Sequence, residues 1–237
     1  MGKSVIQRNP LLLGTLRVLR GGSRRIMRVF RPIPERHANP YATHLPVLVA
    51  LAHLRPIRRV AEFGCGIYST LTFLDRAVFP DLITLRTFEN DADWLKRMVT
   101  ETGDDPRLQL TYIDGPMGKA VTGLNLDEYD LIFIDDSLTG EERTLTIRAV
   151  SAAKPKTGVV VVHDYEIPLY QQATKTFIHR FCFSALNPYT GLAWNDANVS
   201  SRHLKRFHRT IKQYATTVSP ENRSEWLRIL TVADIQR

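Results

Sequence analysis

From about residue 58 onward the chain alternates short β-branched apolar runs with stretches whose apolar positions recur every three or four residues. The first pattern suits buried strands and the second amphipathic helices, and their alternation implies a parallel sheet. Strands are expected over 58–63, 82–88, 107–113, 129–134 and 158–163, with helices over 68–78, 91–102, 140–153 and 166–178 between them. Ahead of the first strand, Leu45, Leu48, Val49 and Leu51 give residues 43–54 an apolar helical face. Two extended runs, 180–186 and 190–195, flank the turn formers Asn187, Pro188 and Gly191 and read as a hairpin closing the sheet. Residues 197–217 and 220–230 read as helices, the second led by Ser219-Pro220, a capping residue before Pro at the first helical position. At the other end, Leu12, Leu16 and Leu19, then Ile26 and Phe30, alternate with arginines in two short amphipathic pieces. Gly21-Gly22 separates them, Ser23 can cap the second, and Pro32, Pro34 and Pro40 mark an extended linker. The organisation expected is an arm over 1–36, an α/β domain over 37–197 and a helical extension over 198–237.

Charge sharpens that division. Of 32 Lys/Arg and 24 Asp/Glu, nine and one respectively fall in residues 1–36, which leaves 23 of each in the rest. The domain is therefore neutral and the basic character belongs to the arm, which argues against a nucleic-acid surface spread over the whole molecule. The arm itself leaves three readings open: a helical lid, a membrane-surface helix over 10–31, or a contact with a polyanion. No apolar run approaches the ~18 residues of a membrane span. Leu11-Leu12-Leu13 is broken by Gly14, Thr15 and Arg17 too early for a signal peptide, and the first six residues lack the Ser or Thr of a myristoylation site. Cys65 and Cys182 stand far apart, with no metal or redox spacing, so a reducing cytoplasmic setting is expected.

The candidate chemistry lies where the expected strands end. The first runs into Glu62-Phe63-Gly64-Cys65-Gly66-Ile67-Tyr68-Ser69. Glycines there let the backbone turn tightly and approach a ligand at a helix N-terminus. A dinucleotide fingerprint would want a third glycine at position 69. Ser69 stands there instead, and Glu62 precedes the first glycine by two residues, which points to a cofactor whose amino-acid portion must be held. The second strand ends in Phe88-Glu89-Asn90-Asp91, with Glu89 27 residues after Glu62 and placed to accept two ribose hydroxyls. The competing reading is a helix cap, which Asn90 or Asp91 can supply alone. The remaining strands end in Ile113-Asp114-Gly115, Ile134-Asp135-Asp136-Ser137 and His163-Asp164-Tyr165. In an open α/β sheet all of these converge on the crevice beyond the carboxyl ends of the strands. His163 is the side chain best suited to take a proton near neutral pH, with Asp164 to orient it or to act as base itself.

In their order and spacing, Glu62-Phe63-Gly64-Cys65-Gly66, Tyr129-Asp130-Leu131-Ile132-Phe133-Ile134-Asp135 and Gly158-Val159-Val160-Val161-Val162-His163-Asp164 resemble the class I S-adenosylmethionine-dependent methyltransferases. The resemblance spans roughly residues 43–196 and is strongest to the small O-methyltransferase-type group found with natural-product and polysaccharide pathways. It implies a doubly wound, Rossmann-like seven-stranded sheet with a reversed last strand and S-adenosyl-L-methionine as cofactor. It further implies that Gly64 and Gly66, with Ser69, lie against the methionine portion and Glu62 near its amino group. Glu89 and Asn90 would meet the ribose, Asp114 and Gly115 the adenine, and Asp135 the transferred methyl. In metal-dependent catechol-type relatives, carboxylates corresponding to Asp135 and Asp164 bind a divalent cation together with an adjacent Asn. Here Tyr165 stands in that Asn's place, which weakens a Mg²⁺ site, although two carboxylates and waters can hold one. The Asn/Asp-Pro-Pro-aromatic motif of amino-group methyltransferases is absent, so oxygen is the expected acceptor. The expected activity is methylation, by Asp135, His163 and Asp164, of a hydroxyl or carboxylate on a small molecule or glycan intermediate. An RNA methyltransferase and a non-catalytic Rossmann-type binding module are the alternatives.

Overall fold

A computed structural model of the chain describes residues 39–137 and 139–235; the basic arm over 1–36, with its amphipathic pieces over 10–31, lies outside the described residues. Seven strands form one sheet: β1 (Arg59–Phe63), β2 (Thr84–Glu89), β3 (Leu108–Tyr112), β4 (Leu131–Ile134), β5 (Val159–His163), β6 (His179–Phe183) and β7 (Thr190–Trp194). Their order is β3-β2-β1-β4-β5-β7-β6. The first five pair in parallel, and β7 runs antiparallel between β5 and β6, with Val161 opposite Leu192. This is the class I methyltransferase sheet, reversed last strand included.

Both faces of the sheet are covered, so its central strands are apolar throughout and their residues divide by parity. Val60, Leu131, Phe133, Val159, Val161 and Leu192 pack on α1 (Leu45–Leu54), α2 (Ser69–Leu74), α7 (Ser201–Tyr214) and α8 (Arg223–Ile235). Ala61, Phe63, Ile132, Ile134, Val160 and Val162 face the opposite way, toward α4 (Gly118–Thr122), α5 (Gly140–Ala153) and α6 (Pro168–Ala173). The amphipathic α3 (Ala92–Thr102) follows β2 and buries Met98. Residues 198–235 contribute to the first core, where Leu204, Phe207, Ile211, Trp226 and Leu230 are buried.

Three helices are shorter or later than the periodicity suggests, each for a local reason. Residues 68–78 yield a helix only to Leu74, because Asp75 is extended and its carboxylate accepts the Ala77 amide to start a turn. Residues 166–178 yield only Pro168–Ala173. Ile167 is held extended ahead of Pro168, as a residue before proline prefers, and a turn follows Thr174. The last helix begins at Arg223 and not at Pro220: Asn222 offers its side-chain oxygen to the Glu225 amide, while the Ser219 carbonyl accepts the Asn222 amide. The five-residue α4 is too short to show a period. Among the described residues no helix is long and apolar enough to cross a membrane.

Candidate active site

At the carboxyl edge of β1 the chain is pinned on both sides. The Gly64 amide donates to the Phe88 carbonyl and the Asp135 amide to the Phe63 carbonyl, both at 2.9 Å. Gly64 takes φ +87°, and a Cβ there would lie 2.5 Å from the Asp135 carbonyl oxygen. That glycine is therefore required by the approach of β4, not by a ligand. Gly66 differs, since the one close neighbour a Cβ on it would meet is the Ser69 hydroxyl, a side chain that can move, at 3.0 Å.

Two carboxylates organise the loop that carries Gly64 and Gly66. Glu62 is completely buried, and one of its oxygens accepts from Thr70 Oγ1 and Thr87 Oγ1, each at 2.8 Å. Thr70 Oγ1 in turn accepts the Gly66 amide at 3.0 Å. The other oxygen of Glu62, Oε1, is buried without a hydrogen-bond partner. Burial pushes this acid up to about 7, against the pull of the Ser69, Thr87 and Thr70 hydroxyls. An orphaned acceptor beside a glycine loop fits a cationic group, as a cofactor's ammonium would be. Glu89, also buried, accepts the Cys65 amide at 3.1 Å with Oε2 and the amides of Asn90 and Asp91 at 2.8 and 2.9 Å with Oε1. The cap of α3 is Asp91, whose side chain accepts from the Asp93 and Trp94 amides. Glu89 is thus free of that duty and instead ties the end of β2 to the glycine loop. Trp94, which the sequence reading missed, joins it by donating Nε1–H to the Cys65 carbonyl at 2.7 Å. Asn90 Nδ2 donates to the Gly115 carbonyl at 3.3 Å, which joins the ends of β2 and β3. The Asp114 side chain is exposed there, and its carbonyl accepts from Lys119.

A second cluster lies at the ends of β4 and β5. Asp135 Oδ1 lies 2.9 Å from Arg143 Nη2 and 3.2 Å from His163 Nδ1. Asp164, at φ +56°, lies 2.5 Å from Arg143 Nη1 through Oδ2 and 3.7 Å from His163 Nδ1 through Oδ1. The backbone turn at Asp164 aims its carboxylate back at Arg143. The two carboxylate side chains are 22% and 28% exposed, whereas His163 is 4% and Arg143 6% exposed. Burial raises the acidity range of Asp135, but the His163 and Arg143 charges outweigh it and hold the carboxyl down to about 2. In the same way burial lowers His163, and the Asp135 charge and hydrogen bond more than reverse that, so it stays protonated above the usual histidine range.

The far nitrogen of His163, Nε2, lies 2.9 Å from Thr43 Oγ1, and that hydroxyl donates to the Pro188 carbonyl at 2.8 Å. A Thr43 hydroxyl that donates to the Pro188 carbonyl accepts from His163, and with Nδ1 facing Asp135 this arrangement suits an imidazolium. His44 packs edge-on against it at 4.8 Å between ring centroids. It is completely buried, neither of its nitrogens has a hydrogen-bond partner although Nδ1 lies 4.0 Å from Asp135 Oδ2, and burial followed by the neighbouring His163 charge lowers it to about 3. Thr43, His44 and Arg143 escaped the sequence reading. The first two precede the first strand, and the third opens a helix in a position that normally faces water.

No protein-family model and no curated protein matches the sequence, and the likeness lies in solved structures. A spermidine synthase in complex with the transition-state analogue AdoDATO is 16% identical, with 82% of this chain and 76% of that one covered at a TM-score of 0.51. Human methyltransferase-like protein 13 in complex with SAH is 14% identical, with 74% and 93% covered at 0.51. The cofactor-bound Rv0187 from MTB is 18% identical, with 70% and 85% covered at 0.50. At these identities the likeness is one of fold.

Proposed function

We propose that the chain is an S-adenosylmethionine-dependent methyltransferase acting on a hydroxyl or carboxylate oxygen of a small molecule or glycan intermediate. The observation that carries the reading is the joining of Glu62, Glu89 and Gly66 into one pre-organised edge, with an unsatisfied carboxylate oxygen at its base. Glu62 would hold the cofactor's amino group, Gly66 and Ser69 its methionine portion, Glu89 and Asn90 its ribose, and Asp114 and Gly115 its adenine side. When bound, the cofactor supplies an electrophilic methyl group. The chain's own part is to place the acceptor and remove its proton.

The sequence favoured His163 for proton removal. Its ring is buried between Asp135 and Thr43, so we assign it the task of holding Asp135. Proton acceptance then falls to the two partly exposed carboxylates, Asp135 and Asp164. The neutral charge of residues 37–237 speaks against RNA as acceptor.

Calorimetry with S-adenosylhomocysteine tests the reading. One site per chain is expected, with a rise in the unfolding midpoint, since a ligand that binds only the folded state stabilises it. Glu89→Ala should weaken binding by about 1–3 kcal/mol through lost charge-assisted hydrogen bonds. Heat with NAD and none with S-adenosylhomocysteine would reject the proposal. Turnover with a panel of hydroxylated acceptors separates an enzyme from a binding module.

Glu62 gives the binding a pH signature. Its folded-state acidity near 7, against an ordinary 4.5, means that the free protein keeps a proton there which the unfolded chain releases. Stability of the free protein therefore falls as pH rises from 4.5 to 7, by about 3 kcal/mol in all. A cationic group bound against Glu62 favours the ionised form, so S-adenosylhomocysteine affinity should rise over the same window with release of a proton. Titrations in buffers of different ionisation enthalpy would detect that proton, and Glu62→Gln should abolish the pH slope. A slope that survives in the variant would assign it to another group.

A further inference from the structure

We infer that the guanidinium of Arg143 occupies the place of a divalent cation between Asp135 and Asp164, so that this site works without a metal. The inference rests on the methyltransferase reading for its bearing on turnover, but it concerns the protein's own charges and is measurable without an acceptor. Four observations support it. Arg143 reaches both carboxylates, through Nη2 to Asp135 at 2.9 Å and Nη1 to Asp164 at 2.5 Å. It is locked there by two backbone carbonyls: Nε donates to Asp136 at 2.6 Å and Nη2 to Ser137 at 2.8 Å. Its side chain is 6% exposed, and the guanidinium carbon lies 5.7 Å from the centre of the Tyr170 ring. Tyr165, finally, turns its hydroxyl to Thr174 Oγ1 at 2.6 Å and packs its ring over Gly191. The position next to Asp164 therefore supplies neither an oxygen nor an amide to a cation.

The geometry does not fit a bound ion for a simple reason. A divalent cation bridging the two carboxylates would need oxygen ligands at about 2.0–2.6 Å, in the space the guanidinium fills. It would also meet a fixed positive charge of a group that does not deprotonate in proteins. The ligand atoms of His44, Asp135 and His163 also lie within 4.8 Å of one another. Yet the Asp135 oxygen nearest His163 is the one paired with Arg143, so an ion there would face the same charge. A planar fork with two carboxylates and two carbonyls satisfied is a rigid substitute: it fixes the carboxylates relative to β4 and β5 while leaving them partly open to an acceptor. Arg143 is in this sense a positioning residue.

The test uses the full chain with S-adenosylhomocysteine as probe, in chelator and in millimolar Mg²⁺, Ca²⁺, Mn²⁺ or Zn²⁺. The unfolding midpoint and the probe's affinity should be the same in all, the affinity within about twofold, and elemental analysis should find no stoichiometric metal. A midpoint or affinity that rises with any one of these ions in the unaltered protein would overturn the inference. Arg143→Ala should lower the midpoint by about 6 °C or more, since it strands two buried-edge carboxylates, and should acquire a stabilising response to Mg²⁺ or Mn²⁺. A merely structural arginine would give the loss without the acquired metal response, and that result would count against the inference. If Arg143→Ala does not fold, Arg143→Lys, which keeps the charge and loses the fork, should remain metal-indifferent. Failure of S-adenosylhomocysteine to bind under every condition would instead reject the methyltransferase reading, with the metal indifference still legible in the midpoint.

Discussion

Asp135→Ala is expected to lower methyl transfer by about 10²–10⁴ and to cost about 3–5 kcal/mol of stability at neutral pH. Two different numbers bear on the second figure. The depression of Asp135 to about 2 from an ordinary 3.8 amounts to about 2 kcal/mol of favourable interaction with its surroundings. Truncation does more than forgo that energy: it leaves Arg143 and His163 as buried charges whose shared partner has gone. The larger figure therefore governs. The signs of the two titrations fix the pH window. Asp135 is lowered on folding, so its contribution is present above 3.8 and lost as pH falls toward 2. His163 is raised on folding, so its contribution is complete below 6.5 and lost as pH rises through its folded value. The pair stabilises most between about 4 and 6.5, and thermal melts across pH should show a plateau there that Asp135→Ala removes. Unchanged turnover in Asp135→Asn, with the fold intact, would take this carboxylate out of the chemistry.

What the sequence shows and what it hides have separate physical causes here. The sheet was legible because strands buried on both faces are apolar throughout, as Val159–Val162 are, and because each runs into a glycine or a carboxylate. The carboxyl-edge residues Glu62, Glu89 and Asp135 could be named for the same reason, since strand direction alone puts them on one edge. Their partners could not. Arg143 opens α5 and looks from its neighbours Glu141 and Glu142 like part of a solvated first turn; only tertiary packing beneath Tyr170 buries it. Thr43 and His44 reach His163 across 120 and 119 positions of sequence, contacts with no local signature. His163 stands at the carboxyl edge where its strand ends, but what its ring donates or accepts depends on the Thr43 hydroxyl, and that depends on where Pro188 places its carbonyl. The cation between Asp135 and Asp164 was doubtful from Tyr165 alone, whereas the group that fills its place came from a different helix.

Gly64→Val is expected to abolish S-adenosylhomocysteine binding and to lower the unfolding midpoint by roughly 10 °C. The cause is the protein's own backbone. Gly64 sits at φ +87°, which a β-branched residue adopts only under strain of about 1–3 kcal/mol. The added Cβ would also lie 2.5 Å from the Asp135 carbonyl oxygen and 2.7 Å from the Asp136 Cα, both main-chain atoms of the next strand end that cannot swing aside. To relieve the clash the ends of β1 and β4 must part, breaking the hydrogen bond from the Asp135 amide to the Phe63 carbonyl and moving Asp135 away from Arg143. Both halves of the site are then lost together. Gly66→Ala is the control, because its Cβ would meet only the Ser69 hydroxyl at 3.0 Å, a side chain that can rotate, and its φ is not in the left-handed region. That variant should melt within a few degrees of the unaltered protein, so any loss of binding in it reports on the ligand's space and not on the fold. Equal midpoints for Gly64→Val and the unaltered chain would show that the ends of β1 and β4 are not held together as tightly as the 2.9 Å hydrogen bond from the Asp135 amide to the Phe63 carbonyl requires.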